Sequence, residues 1–166
     1  MSTPAAEPQV LALGGTIIKF NSRTNSYVHK NAWSGSGGGV SKIFAIPTYQ
    51  KGVSGLASTT HRNVPDVAFP SFYTDTFVGG SWLGLEGTSW SSPIYVALQL
   101  EINQSKSSRF GLVNKNIYSV FAASTYADFY DVTKGNNGGF NAKPGYDNVT
   151  GIGSPKGQTI ATDPAF

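Results

Sequence analysis

The hydrophobic positions of this chain fall in short runs separated by glycine, proline and small polar residues. Residues 9–13 (QVLAL) are apolar and residues 16–20 (TIIKF) are rich in β-branched side chains; the two predict consecutive strands around a turn at Gly14-Gly15. Residues 21–32 are polar and aromatic and fit a hairpin or loop. The run SGSGGGVS at residues 34–41 predicts no regular element, and its glycines let backbone approach backbone or ligand closely. Residues 43–50 (IFAIPTYQ) are apolar around Pro47, and the small polar residues 51–60 fit a short helix and loop. Residues 64–69 (VPDVAF) predict a strand or its entry, and residues 77–85 a short hairpin or strand.

The clearest helix is predicted over residues 89–104. Its apolar side chains, Ile94, Val96, Ala97, Leu98, Leu100 and Ile102, nearly encircle it, which is the pattern of a buried helix. Pro93 is compatible with the first turn, where no intrahelical N–H bond is needed. Residues 110–121 predict a second, shorter helix, and the chain from Asp128 onward reads as loop. Helices separated by short β runs favour an α/β fold.

At 166 residues the chain suits one domain with a core of its own. Hydrophobic residues make up 39% and charged residues only 13%, a balance that folds and that also suits acid, since few carboxylates lose favourable pairing on protonation. The absence of cysteine excludes disulfides, thiolate metal sites and a cysteine nucleophile. The formal charge of +3 is spread over single lysines and arginines with no basic stripe, which argues against nucleic acid. No apolar run approaches the ~18 residues of a membrane span. The opening residues 1–10, MSTPAAEPQV, lack the basic start and apolar middle of a signal peptide.

Candidate chemistry centres on Ser89, which follows Gly87-Thr88 at the start of the predicted helix. Two readings stand there: a capping serine, or a nucleophile beside free helix N–H groups that stabilise a developing oxyanion. A nucleophilic serine needs a base. His61 and Asp66 lie within 29 residues of Ser89, but His61 sits in a polar loop and nothing in the sequence aims it at the serine; His29 is weaker still. Glu86 is close in sequence and reads as structural.

Six blocks occur in order: ALGGT (12–16), SGSGGGVSKIFAIPTYQ (34–50), RNVPDVA (62–68), GTSWSSP (87–93), FYDVTKG (129–135) and AKPGYDNVTGIGSP (142–155). Together they resemble the C-terminal half of the sedolisins, the serine-carboxyl peptidases. The resemblance implies a subtilisin-like α/β fold with a mostly parallel sheet and flanking helices. It makes residues 1–166 the C-terminal part of one peptidase catalytic domain. It further implies acid proteolysis by a Ser-Glu-Asp triad, with Ser89 as the nucleophile. The glutamate base, its supporting aspartate and the oxyanion-hole aspartate belong to the other half and have no counterpart here; Glu86, Asp66 and Asp75 do not take their roles.

Asp131 and Asp147 bracket a glycine-rich stretch within about residues 128–155, which by itself reads as an ordinary surface loop whose Asp and Gly serve turns, or as a calcium loop, since calcium takes carboxylate and carbonyl oxygens in such loops. The family resemblance implies one structural calcium ion, held by the carboxylates of Asp131 and Asp147 and the carbonyls of Val132, Lys143 and Gly145. It implies a protein or peptide substrate, the missing N-terminal half as partner, and a secreted or lysosome-like acidic location. A second expectation is a non-catalytic, calcium-stabilised module that binds a partner chain. Trp82 and Trp90 are candidates for the walls of a substrate cleft, although aromatic residues more often serve a core.

Overall fold

The computed structural model describes residues 3–124 and 126–166. Residues 1–2 of the opening segment lie outside the described residues. Strand β1, Leu13–Phe20, runs straight through the glycine pair that the pattern reads as a turn. Close approach explains those glycines instead. A Cβ on Gly14 would lie 2.7 Å from the Val149 carbonyl oxygen, and one on Gly15 would lie 2.7 Å from Ser71 Oγ. β2, Tyr27–Ala32, folds back antiparallel along β1.

β3, Gly39–Ala45, starts inside the glycine run, so that run is not wholly irregular. Gly39 pairs opposite Val64 of β4, His61–Val64, and its carbonyl accepts a 2.8 Å bond from the Asn148 amide. The apolar stretch around Pro47 then closes in a short 3-10 helix, Thr48–Gln50. β5, Val67–Pro70, lies parallel to β1 over Leu13–Thr16, giving a mixed sheet in the order β2-β1-β5. β6, Thr74–Val78, and β7, Ser81–Leu85, form a separate antiparallel hairpin.

Helix α1, Thr88–Ser105, packs on β1 and β5 and carries Pro93 in its first turn. Its buried residues are Ser91, Tyr95 and Ile102, one stripe at helical spacing. The all-round burial expected from its sequence does not hold. Val96 is 54% and Leu100 61% exposed, because no other described element covers that side. Helix α2, Asn114–Ser124, places Ile117, Tyr118 and Val120 into the main core with Val67, Phe69, Phe129, Tyr146 and Ile152. Full burial of one such aliphatic or aromatic side chain is worth about 1.5–3 kcal/mol. The loop-like tail holds the two-residue strands β8, Phe129–Tyr130, and β9, Ser154–Pro155, followed by the short helix α3, Gly157–Thr162. No helix among the described residues is long and apolar enough to cross a membrane.

Candidate functional site

Ser89 is the second residue of α1, not its cap; Gly87 holds the cap position with φ +140°, a conformation that favours glycine. The Gly87 N–H donates to the Ser71 carbonyl at 2.7 Å, which ties the base of the β6–β7 hairpin to the mouth of the helix. No side-chain cap bond forms at this end, so the capping alternative for Ser89 does not apply. Ser89 is exposed, and its hydroxyl meets no hydrogen-bond partner among the described residues. The first N–H groups of a helix lack intrahelical acceptors and carry its positive end, so an oxyanion forming over Ser89 would meet donors there.

Two residues on, Ser91 has the opposite surroundings. It is fully buried, its Oγ lies 2.6 Å from Ser71 Oγ, and it contacts the carbonyls of Gly14 at 3.0 Å and Phe69 at 3.2 Å. Ser91 therefore pins α1 to both parallel strands. The sequence reading missed it; the signal available was its place one turn before Tyr95 on the stripe that the helix buries.

None of the candidate bases reaches Ser89. His61 is exposed at the start of β4, with Nδ1 2.9 Å from Thr60 Oγ1, and His29 is exposed on β2. Asp66 is buried and its oxygens are committed elsewhere: to Arg62 at 2.6 and 2.7 Å, to the Ala12 N–H at 2.8 Å and to the Tyr118 hydroxyl at 2.8 Å. That arrangement ties β4, the residue leading into β1, and α2 to the turn before β5. Glu86 and Asp75 are exposed. Ser36 of the glycine run accepts from the Gly15 N–H and donates to the Val149 carbonyl, both at 2.9 Å, so it packs loops together. A small cavity beside Thr88 is lined by Gly37, Gly38, Leu13 and Pro65. Trp82 is 71% exposed and leans at a tilt against Phe77, ring centroids 5.2 Å apart, outside the core. Trp90 is half-buried in the first turn of α1.

The five candidate calcium-loop residues come together in space. Lys143 N–H donates to Asp147 Oδ2 at 3.1 Å and Gly145 N–H to Asp131 Oδ2 at 3.2 Å, so the 143–145 turn is clasped between the two carboxylates. Asp147 Oδ1 also accepts the N–H groups of Val149 at 2.9 Å and Thr150 at 2.8 Å. Val132, next to Asp131, is fully buried. Burial pushes both carboxyls above the usual aspartate range, against the N–H bonds that pull them down. The described residues hold no group of three or more His, Cys, Asp or Glu side chains, so a cation here would depend on two carboxylates and on carbonyl oxygens. Those are hard oxygen donors, and they fit calcium better than a softer metal.

No family model matches the chain. Among relatives, kumamolisin from Bacillus sp. (strain MN-32) is 33% identical over 93% of this chain and 30% of its own length. Sedolisin from Pseudomonas sp. (strain 101) is 32% identical over 93% of this chain and 28% of its own length. The structure of Pseudomonas sedolisin, a serine-carboxyl proteinase complexed with two molecules of pseudo-iodotyrostatin, superposes with a TM-score of 0.83 at 29% identity, covering 96% of this chain and 47% of that one. The chain belongs to the sedolisin family. Bovine (Bos taurus) tripeptidyl-peptidase 1 is 31% identical over 93% of this chain and 31% of its own length. The sedolisin-family chain thus has the α/β, subtilisin-like architecture of its relatives, and it spans about a third of the length of those it matches.

Proposed function

We propose that this chain is the C-terminal part of a serine-carboxyl peptidase domain that cleaves peptide bonds in acid through Ser89. The observation that carries the reading is the placement of Ser89: exposed, unbonded and at the open N-terminus of α1, in a chain one-third identical to kumamolisin. Ser89 Oγ attacks the scissile carbonyl carbon while its proton passes to a base, and the carbonyl oxygen takes up the negative charge. The helix N-terminus faces that charge. In this reading the base is a glutamate supported by an aspartate, both from sequence beyond these 166 residues, and the N-terminal half is the natural partner of this one. A carboxylate base suits an acidic medium, whether secreted or lysosome-like. One calcium ion bound by Asp131, Asp147 and the carbonyls of Val132, Lys143 and Gly145 would hold the 128–155 loop.

The second reading, a non-catalytic module that binds a partner chain, draws on the lack of any described base bonded to Ser89 and on the exposed Val96 and Leu100 of α1. Cleavage of a quenched fluorescent peptide near pH ~4 separates the two. The peptidase reading expects turnover when this chain is combined with a sedolisin N-terminal half, and none when Ser89→Ala replaces it. Turnover that survives Ser89→Ala, or none with correctly paired halves, rejects the peptidase reading.

A further inference from the structure

A groove opens just beyond the carboxyl ends of the parallel strands β1 and β5. β5 stops at Pro70, opposite Thr16, while β1 runs on to Phe20 with β2 along its other side. The last bond on the β5 side is from the Ser71 N–H to the Thr16 carbonyl at 2.9 Å. Main-chain groups alternate sides along a strand, so Ile18 turns its N–H and C=O to this same side, where no strand pairs with it among the described residues. The chain meanwhile leaves β5 through Phe72 and Tyr73, whose rings meet edge to face at 4.6 Å. Tyr73 is 73% exposed. Between residues 17–20 and 70–75 this leaves about 410 Å³, walled by Ile18, Phe20, Phe72 and Tyr73, with Lys19 and Asp75 as its charged groups.

We propose that this groove binds an extended polypeptide, which adds to β1 as a strand at Ile18 and seats an apolar side chain against Phe72 and Tyr73. A free strand edge is matched by another peptide backbone, and the aromatic wall is matched by the alternate side chains of an extended chain. One cation and one anion leave no net field for a polyanion. The position is where open α/β sheets bind ligands, outside the carboxyl ends of their parallel strands. It also adjoins the candidate nucleophile: Ser71 follows Pro70 of the groove, and its carbonyl holds the N–H of Gly87, two residues before Ser89. As a substrate-positioning site the groove rests on the peptidase reading; as a peptide-binding site it does not.

The test uses the 166-residue chain carrying Ser89→Ala, at neutral pH, with a blocked hexapeptide of alternating phenylalanine and threonine. The amide signals of Ile18, Phe20 and Tyr73 are expected to move together, and exchange of the Ile18 N–H to slow about tenfold at saturation. The fully N-methylated hexapeptide keeps the side chains but has no N–H groups, and should bind about tenfold more weakly. Tyr73→Ala, at an exposed position, should weaken binding with the fold intact. No binding at about 1 mM peptide, shifts confined to another surface, or equal binding of the methylated peptide overturns the proposal. The two readings fail separately. Binding at Ile18 without any Ser89-dependent cleavage by the correctly paired halves retires the peptidase and keeps the groove; cleavage by the paired halves without binding at Ile18 does the reverse.

Discussion

Arg62 and Asp66 meet in a two-pronged ion pair, Nη1 to Oδ1 at 2.7 Å and Nη2 to Oδ2 at 2.6 Å, with both side chains fully buried. The pair also gathers neighbours: Arg62 donates to the carbonyls of Asn63 and Val10, while Asp66 accepts from Ala12 and Tyr118. Removing one partner leaves the other charged without compensation. Arg62→Met and Asp66→Asn should each lower unfolding free energy by about 3–5 kcal/mol in urea titrations. The double variant should lose clearly less than the sum, because the two single losses share one cause. Additive losses would mean that the pairing itself matters little.

The two nearby serines of α1 should separate structure from chemistry. Ser91→Ala removes a buried hydroxyl bonded to Ser71 and close to two strand carbonyls and should cost about 1–3 kcal/mol. Ser89→Ala touches an exposed side chain and should leave stability within about 0.5 kcal/mol, while abolishing any peptidase activity of the paired halves. Thermal melts of both variants check this; a large loss of stability in Ser89→Ala would show a structural duty that its surroundings do not suggest.

Neighbouring glycines of the run at residues 34–41 should respond unequally. A Cβ on Gly38 would lie 1.8 Å from the Asn148 carbonyl oxygen, whereas one on Gly37 meets nothing within 4 Å. Gly38→Ala therefore forces the two loops apart and should cost about 1–3 kcal/mol, while Gly37→Ala should be neutral within about 0.5 kcal/mol. Equal chemical-denaturation midpoints for the two variants would contradict the packing described.

Local pattern made part of this molecule legible. The α1 helix follows from the apolar run behind Gly87-Thr88, α2 from the run at residues 110–121, and the β6–β7 hairpin, except for its first residues 74–76, from the glycines and aromatics of residues 77–85. The role of Gly14 and Gly15 was hidden because Val149 and Ser71, which crowd them, lie far along the chain. The exposed side of α1 was misread for a related reason: periodicity reports which residues are apolar, not what packs over them. The calcium-loop residues were nominated by motif order, yet the fully buried Arg62 could be foreseen only by linking it to Asp66 across an intervening proline. The Ile18 edge was invisible, since it depends on where β5 ends.

Lys30 offers a pH test at the edge of the candidate calcium loop. Its ammonium lies 4.6 Å over the Tyr130 ring, and burial pushes it down to about 8. A depressed lysine means that the folded chain holds fewer protons than the unfolded chain between that value and the ordinary 10.5. The contribution of Lys30 to stability is thus unfavourable below about 8 and improves as pH rises toward 10.5. Lys30→Met should be more stable than the parent at pH ~7, with the difference shrinking through that alkaline window. A difference independent of pH would assign the effect to packing rather than to charge.

The calcium reading has its own measurement. Asp131 and Asp147 share one loop, both resist ionisation through burial, and neither has a cationic side chain bonded to it among the described residues. A divalent ion would relieve that excess and tie the 143–145 turn to the end of β8. An ion that binds only the folded chain adds about 2.7 kcal/mol at a concentration of 100 times its Kd. Calcium should therefore raise Tm and a chelator reverse it, with magnesium weaker, since it parts reluctantly with its own water. Asp131→Asn is the informative variant: its amide oxygen still accepts from Gly145, so the turn survives while a charge on the ion is lost. Its Tm without calcium should match or exceed that of the parent, and its response to calcium should fall. A parent Tm indifferent to both calcium and chelator removes the metal from this loop and leaves Asp131 and Asp147 as turn-forming carboxylates.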